Sequence, residues 1–279
     1  MPERGGLAPF LKWAGGKRSL LPRLLPLIPP KPIRTYFEPF LGGGALFFEL
    51  SRLGRFRKAK LADGNEELIQ CYAAIKRDFK KVVVALEKHQ YGEEAFYEIR
   101  EKDPARLSDP KRAARTIYLN RCGYNGLYRV NQQGRFNVPF GHHDKPRLVH
   151  PERLKLVSQA LQNAELFVGD FEKTVAGAGG DDFVYFDPPY VPVSATANFT
   201  AYARRGFGSA DQDRLAKLLR GLGDARTRAL LSNSDCAVTR RLYRGLPVVA
   251  VDVRRAINSN AKKRGPVSEL IVRSFDYPF

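Results

Sequence analysis

The chain is 279 residues long, 43% hydrophobic and 27% charged, which suits one large core or a core with an inserted module and excludes a disordered polymer. Its 47 Lys and Arg against 29 Asp and Glu leave a net charge of +18, far beyond what solubility requires. A polyanion, nucleic acid first, is therefore the expected partner, with an anionic membrane or another acidic surface as the alternative. Cys71, Cys122 and Cys236 are scattered without Cys-x-x-Cys spacing, so neither a disulfide framework nor a zinc site is expected, and no metal. No segment approaches the ~20 apolar residues that cross a bilayer. Arg4, Lys12 and Lys17 among glycines do not form a leader, and the expectation is a cytoplasmic protein, by default a monomer.

From Pro9 to about Ile75 the pattern is that of a βαβα unit. Thr35 to Phe40 reads as a strand, Leu41 to Gly44 as a tight turn, and Ala45 to Leu53 as a helix. Lys58 to Ala62 reads as a second strand closing at Asp63, and a helix opens at Asn65 and runs through Ile75. Glycines between strand and helix let the backbone approach a ligand, and Asp63 at the tip of the second strand is placed to accept ribose hydroxyls. Gly42-Gly43-Gly44 lacks the Gly-x-Gly-x-x-Gly spacing, which disfavours NAD.

From Asp78 to about Gln162 short basic amphipathic helices suggest a helical insertion. Within it, Arg121 to Gly141 reads as a hairpin around Asn-Gly and Gln-Gly turns, dense in arginine, asparagine and aromatics, the types that read base edges and stack on bases. The plainer alternative is an exposed hairpin in a basic domain. Beyond it come a helix at Pro151 to Leu161, strands at Glu165 to Val168 and Asp182 to Phe186, and a helix at Ser209 to Leu222. Strands at Thr227 to Leu231, Val248 to Val251 and Ser268 to Val272 follow. Such alternation predicts an α/β fold with a mostly parallel sheet covered on both faces. Arg254, Arg255, Lys262, Lys263 and Arg264 flank a loop and read as phosphate contacts or as solvated charge.

The most constraining segment is Asp187-Pro188-Pro189-Tyr190, directly after the apolar run Phe183 to Phe186. A buried strand ending in two prolines holds the Asp187 carboxylate and the Pro188 carbonyl as fixed acceptors, while Tyr190 offers a flat face for a base. Together they fit a planar exocyclic amine, as on adenine or cytosine. The bland alternative is a Pro-Pro strand stop with an aspartate capping a turn.

Phe10 to Lys17, Phe37 to Gly44, Leu61 to Asp63, Leu119 to Gly141, Gly169-Asp170-Phe171 and Asp187 to Tyr190 together resemble, in order and spacing, the Dam-type DNA N6-adenine methyltransferases of the D12 class. The hairpin is most similar to the GATC-recognising subgroup. The resemblance extends through Asn198 to Tyr202, Leu231 to Asp235 and Arg254 to Leu270, nearly the whole chain. It implies a Rossmann-like S-adenosyl-L-methionine-dependent sheet with an inserted, mostly helical DNA-recognition domain carrying a β-hairpin. The implied divisions are a cofactor part at 1–77, a recognition part at 78–150 and a catalytic part at 151–279. The implied cofactor set is Trp13, Lys17, Glu38, Phe40, Gly42, Asp63, Asp170, Phe171 and Asp187, and the implied catalytic set is Asp187, Pro188 and Tyr190. Lys12, Tyr124, Asn125, Leu127, Arg129, Pro139 and Asn198 are implied to contact double-stranded DNA, Arg129 and Lys12 at guanines. Tyr128 departs from the pattern by its bulk. Two rivals remain open at the level of sequence. One is an RNA adenine or cytosine-N4 methyltransferase, since the same turn holds any exocyclic amine; the other is an inactive DNA-binding module with an inherited pocket.

Overall fold

The computed structural model describes residues 6–144, 146–192, 207–254 and 266–276. After a short helix α1 (Leu21–Leu24), the order is β1 (Ile33–Glu38), α2 (Ala45–Arg52), β2 (Phe56–Asp63), α3 (Glu66–Glu87), α4 (Glu93–Glu101), α5 (Asp109–Cys122) and α6 (Pro151–Leu161). Then follow β3 (Ala164–Val168), α7 (Phe171–Val175), β4 (Phe183–Phe186), α8 (Ser209–Asp224), β5 (Arg228–Ser234), α9 (Ala237–Leu242), β6 (Val248–Arg254) and β7 (Pro266–Arg273).

The strands form one seven-stranded sheet in the order β3-β2-β1-β4-β5-β7-β6. Strands β1 to β5 run parallel to one another, and β7 runs antiparallel to both β5 and β6. The α/β fold expected from the alternation of strands and helices is therefore present, with one reversed strand. The chain steps outward from β1 to β3 and returns to place β4 on the other side of β1. The crevice at the carboxyl ends of β1 and β4 is thus a topological switch point, where open α/β sheets bind ligands.

Both faces of the sheet are covered. On β4, Phe183 and Tyr185 belong to one core with Tyr36, Leu61 and Phe47, while Val184 and Phe186 belong to the other with Phe171, Leu215 and Leu231. This is the period-2 consequence of a strand buried on two sides, and it explains why its sequence is apolar without alternation. Helices α3 to α5 and the hairpin share the first core: Phe96, Tyr118, Val138 and Phe140 lie in the same cluster as Tyr36 and Leu61.

Several elements differ in extent from their expectation. Helix α3, capped by Asn65 Oδ1 accepting from Leu68 N at 3.2 Å, continues past Ile75 to Glu87 through a break at Asp78 (φ −158°, ψ 82°). Strand β5 runs on to Ser234, because its polar end is satisfied inside the sheet: Ser232 Oγ meets Tyr185 Oη at 2.9 Å, and Asn233 pairs in register with Leu270. Of the two expected hairpin turns only one makes the hairpin. Asn131 N donates to Arg135 O at 2.8 Å and Asn137 N to Arg129 O at 3.0 Å, around Gly134 at φ +78°. Asn125-Gly126 instead closes a separate 3-10 turn that lies against Lys12, where a Cβ on Gly126 would sit 2.5 Å from Lys12 Cβ.

Asp182 opens β4 and fastens it to β1. Its buried carboxylate accepts from Arg34 Nε at 3.0 Å, Arg34 Nη2 at 2.7 Å, Thr35 N at 3.0 Å and Gly179 N at 2.9 Å. Replacing it leaves two backbone donors and a guanidinium without their acceptor, so Asp182→Ala is expected to lose about 2–3 kcal/mol in urea unfolding. A loss below ~0.5 kcal/mol, the scale of an ordinary surface change, would contradict this.

Candidate active site

The first wall of the crevice is the turn after β1. Gly42 (φ +48°) and Gly44 (φ +66°) take left-handed conformations that favour glycine, and a Cβ on Gly42 would come within 2.9 Å of Trp13 Cδ1. The turn is clamped on both sides: Gly42 N donates to Asp63 Oδ2 at 2.9 Å, and Tyr72 Oη donates to Gly42 O at 3.1 Å. Asp63 Oδ1 also accepts from Asn65 N at 2.9 Å. Burial pushes the Asp63 carboxyl up, and these two amide donors oppose it. Two oxygens with about four lone-pair directions keep capacity for further donors.

The N-terminal segment is held over this turn by α5. Asn120 accepts from Lys12 N at 2.8 Å and donates to Lys12 O at 2.6 Å, while Arg121 Nη2 donates to Phe10 O at 2.9 Å. Trp13 stacks on Tyr128 with ring centroids 5.6 Å apart and 29° between planes, and Tyr128 in turn meets Phe136 edge-on. The bulk of Tyr128 is therefore accommodated inward, as a bridge between hairpin and glycine turn.

The second wall is Asp187 to Tyr190. Asp187 Oδ1 lies 2.8 Å from Lys17 Nζ; the side chain as a whole is 19% exposed, while this oxygen is itself buried. Lys17 Nζ also donates to Gly15 O at 2.6 Å and sits 4.5 Å from the centre of the Tyr190 ring. The contact with Asp187 is an ion pair without well-directed hydrogen-bond geometry, since Oδ1 is buried with no aligned donor. Burial pushes the Asp187 carboxyl up to about 6, with Lys17 pulling the other way and Glu269 and Asp63 adding to the rise. Glu38, buried at the end of β1 and accepting from Tyr36 Oη at 2.8 Å, is raised well above the carboxylate range, by burial first and with Asp187 and Asp63 contributing. Four acidic side chains thus converge in a protein of net charge +18. Such a crevice attracts a cation.

A hydrogen-bonded brace fixes the turn from behind. Tyr190 Oη donates to Glu269 Oε2 at 3.0 Å, Gln212 Nε2 donates to Pro189 O at 2.9 Å, and Asn233 Oδ1 accepts from Val191 N at 3.0 Å. Asn233 Nδ2 closes the loop by donating to Gln212 Oε1 at 3.1 Å. Gln212, Asn233 and Glu269 are all buried, on α8, β5 and β7. Sequence reasoning assigned none of the three a role. The available signal was their polarity inside otherwise apolar elements, because buried amides and carboxylates require partners.

Of the other expected residues, Phe40 and Phe171 stack on each other at 5.6 Å, and the Arg214 guanidinium lies 4.8 Å from the Phe171 ring. Asp170 caps α7 by accepting from Glu172 N at 2.9 Å and takes Arg214 Nη2 at 2.9 Å. Tyr124 is 49% exposed, and its N–H donates to Pro139 O at 2.9 Å, which brings these two positions together beside Lys12 and Gly126. Arg129 is exposed and steadied by Asn137, through Nε to Oδ1 at 2.8 Å and Nη2 to the backbone oxygen at 3.1 Å. Asn125 is exposed at φ +54°, Leu127 is half-buried, and Pro188 is buried. Asn198 and the basic loop at 255–265 lie outside the described residues. Among the described residues no cluster of metal-ligating side chains occurs, and no helix is long and apolar enough to cross a membrane.

The fold is an α/β sheet whose strand order reverses beside β1, the place where open sheets of this kind bind their ligands. Residues 13–257 match the family model of the D12 class N6 adenine-specific DNA methyltransferases, and the chain belongs to that family. It is 40% identical over 277 residues to the Type II methyltransferase M1.LlaDCHI of Lactococcus lactis subsp. cremoris, covering 96% of each chain. It is 37% identical over 285 residues to the Type II methyltransferase M.MjaIII of Methanocaldococcus jannaschii, covering 96% of this chain and 99% of that one. It is 38% identical over 266 residues to the DNA adenine methylase of Escherichia coli K12, covering 94% and 93%.

Because Asp187 is raised from 3.8 to about 6 in the folded state, the folded protein binds the proton more tightly than the unfolded chain. Its contribution to stability is full at low pH and is lost as pH rises through about 6. Asp187→Asn is therefore expected to unfold at a higher temperature than the parent at pH 8, by the equivalent of about 1–3 kcal/mol, with the advantage vanishing near pH 4. Melting curves at both pH values check this, and an equal effect at both would contradict it.

Proposed function

We propose that this DNA adenine methyltransferase flips an adenine out of duplex GATC and transfers to its N6 the methyl group of S-adenosylmethionine. The observation that carries the reading is the Lys17 ammonium on Asp187 beside the Tyr190 ring. A nitrogen donor already lies where the exocyclic amine of a stacked base would be received.

Adenine N6 is a weak nucleophile because its lone pair is delocalised into the ring, and within a duplex it is out of reach of any donor. Extrusion costs a few kcal/mol, which stacking on Tyr190 offsets. Asp187 and the Pro188 carbonyl accept the two N6 protons, localise the lone pair, and stabilise the positive charge that grows on nitrogen. A carboxyl near 6 is a better proton acceptor than an ordinary aspartate once the amine has become acidic. The brace through Gln212, Asn233 and Glu269 holds these acceptors still. Lys17 leaves Asp187 as the amine arrives.

The chain's own residues suit the cofactor. Trp13, Glu38, Phe40, Gly42, Asp63, Asp170, Phe171 and Lys17 would hold it, since Trp13 packs directly on the glycine turn, Asp63 keeps acceptor capacity, and an ionised Asp187 favours a cation. When bound, S-adenosylmethionine supplies a positively charged sulfonium whose methyl is electrophilic.

The GATC assignment rests on the resemblance of Lys12, Tyr124, Asn125, Leu127, Arg129 and Pro139 to the recognition set of that subgroup, with Asn198 as a further contact. Exposure of Tyr124 suits insertion between bases, and the guanidinium of Arg129, oriented by Asn137, suits the O6 and N7 edge of guanine.

Transfer of labelled methyl to duplex DNA, to RNA and to DNA lacking GATC tests this reading, followed by digestion with adenine-methylation-sensitive nucleases. Asp187→Ala is expected to lower kcat by roughly 10²–10³. In the parent, kcat/KM should fall on the acid side through about 6, as protonation removes the acceptor. Near-normal transfer by the variant, or label appearing in RNA only, would overturn the proposal. Arg129→Ala is expected to lose about 1–3 kcal/mol of discrimination at one guanine; equal weakening on all sequences would make it a phosphate contact.

A further inference from the structure

Arg18, Arg121, Arg147 and Arg153 lie near enough to one another for their charges to interact, with His150 among them. Arg18 follows Lys17, Arg121 closes α5, and Arg153 lies in the first turn of α6. Arg121 feels the charge of Arg153, and Arg153 that of Arg18 and Arg147. His150 is pushed down to about 4, by burial first and then by Arg121, Arg153 and Arg147, so it is neutral and relieves none of the charge. The polar contacts of the group within the protein are to backbone oxygens: Arg121 Nη2 to Phe10 O at 2.9 Å and Arg147 Nε to Val149 O at 3.1 Å. The Nε atoms of Arg121 and Arg153 are buried without a partner. None of the four arginines forms an ion pair among the described residues, whereas Arg34, Arg112, Arg214 and Arg240 each find a carboxylate.

Four guanidinium groups held together with no carboxylate raise the free energy of the unbound protein, and an anion entering among them reverses the sign of that interaction. The planar fork of arginine matches the oxygens of a phosphate. Arg18 and Arg147 are exposed at the surface, so the cluster is open on one side and suits a phosphate carried on a larger body. The cluster adjoins both the segment bearing Lys17 and the helix that leads into the recognition hairpin. We propose that it is a docking site for a backbone phosphodiester of the DNA, which sets the position of the duplex and carries no sequence information. This rests on the proposed DNA methyltransferase reading and adds to it a contact outside the hairpin and the base pocket.

The test uses the full chain, the exposed-residue variant Arg147→Gln and the double variant Arg147→Gln, Arg153→Gln. Binding to a short duplex with GATC and to one without is measured across a salt series. The expected result is a fall in affinity of roughly tenfold for each duplex in the double variant. The slope of log affinity against log salt should become shallower by about 0.9 for one lost phosphate contact. The preference for GATC and kcat at saturating DNA stay unchanged, and the melting temperature of the free protein does not fall, since repulsion is relieved. Unchanged affinity and slope in variants of a parent that methylates DNA normally would overturn the phosphate site and leave the methyltransferase reading intact. A parent that neither binds nor methylates DNA would overturn both. Inorganic phosphate that raises the melting temperature of the parent but not the variants, with DNA affinity unaffected, would show a free-anion site and overturn the proposal as well.

Discussion

The structure turns on one lysine ammonium held among converging acids. Glu38, Asp63, Asp187 and Glu269 are brought to the carboxyl edge of the sheet by four different strands, and burial makes the ionised forms of the first three costly. Lys17 supplies the opposing charge at Asp187, its Nζ 2.8 Å from Oδ1. A crevice balanced in this way is selective by charge before it is selective by shape. In the proposed reading it favours cationic and amine-bearing groups, while the basic exterior favours a polyanion at the surface.

The hairpin, α5 and the glycine turn are mechanically one unit. Asn120 and Arg121 at the end of α5 hold the backbone of residues 10–12, and Tyr128 from the hairpin stacks on Trp13, which covers Gly42. A displacement of the hairpin by DNA would therefore be felt at the glycine turn through two aromatic rings. Among the described residues α3 to α5 share one core with the sheet, so such a displacement meets a continuous packed body.

Much of this was legible in the residues. Strand β4 and its terminal Asp187 stand out because an apolar run buried on both faces ends in two prolines. Asp63 stands out because an acid closes a strand after a glycine turn. The errors share a physical cause, which is that long-range partners override local propensity. The strand expected to end at Leu231 runs on, because pairing of Ser232 to Ser234 with β7 and bonds to Tyr185 and Gln212 keep them in β5. Asn125-Gly126 resembles a hairpin turn, yet Lys12, more than a hundred residues away in sequence, claims the space beside it. The brace on Tyr190 was invisible, since Gln212 and Glu269 are ordinary polar letters until the fold buries them.

The most direct measurement is a crystal structure of the protein with S-adenosylhomocysteine and a duplex containing one GATC. The account predicts an extrahelical adenine stacked on Tyr190, its N6 at about 3 Å from both Asp187 and the Pro188 carbonyl, and the Lys17 ammonium moved off Asp187. An adenine left in the helix or lodged elsewhere, with Lys17 still paired to Asp187, would contradict it.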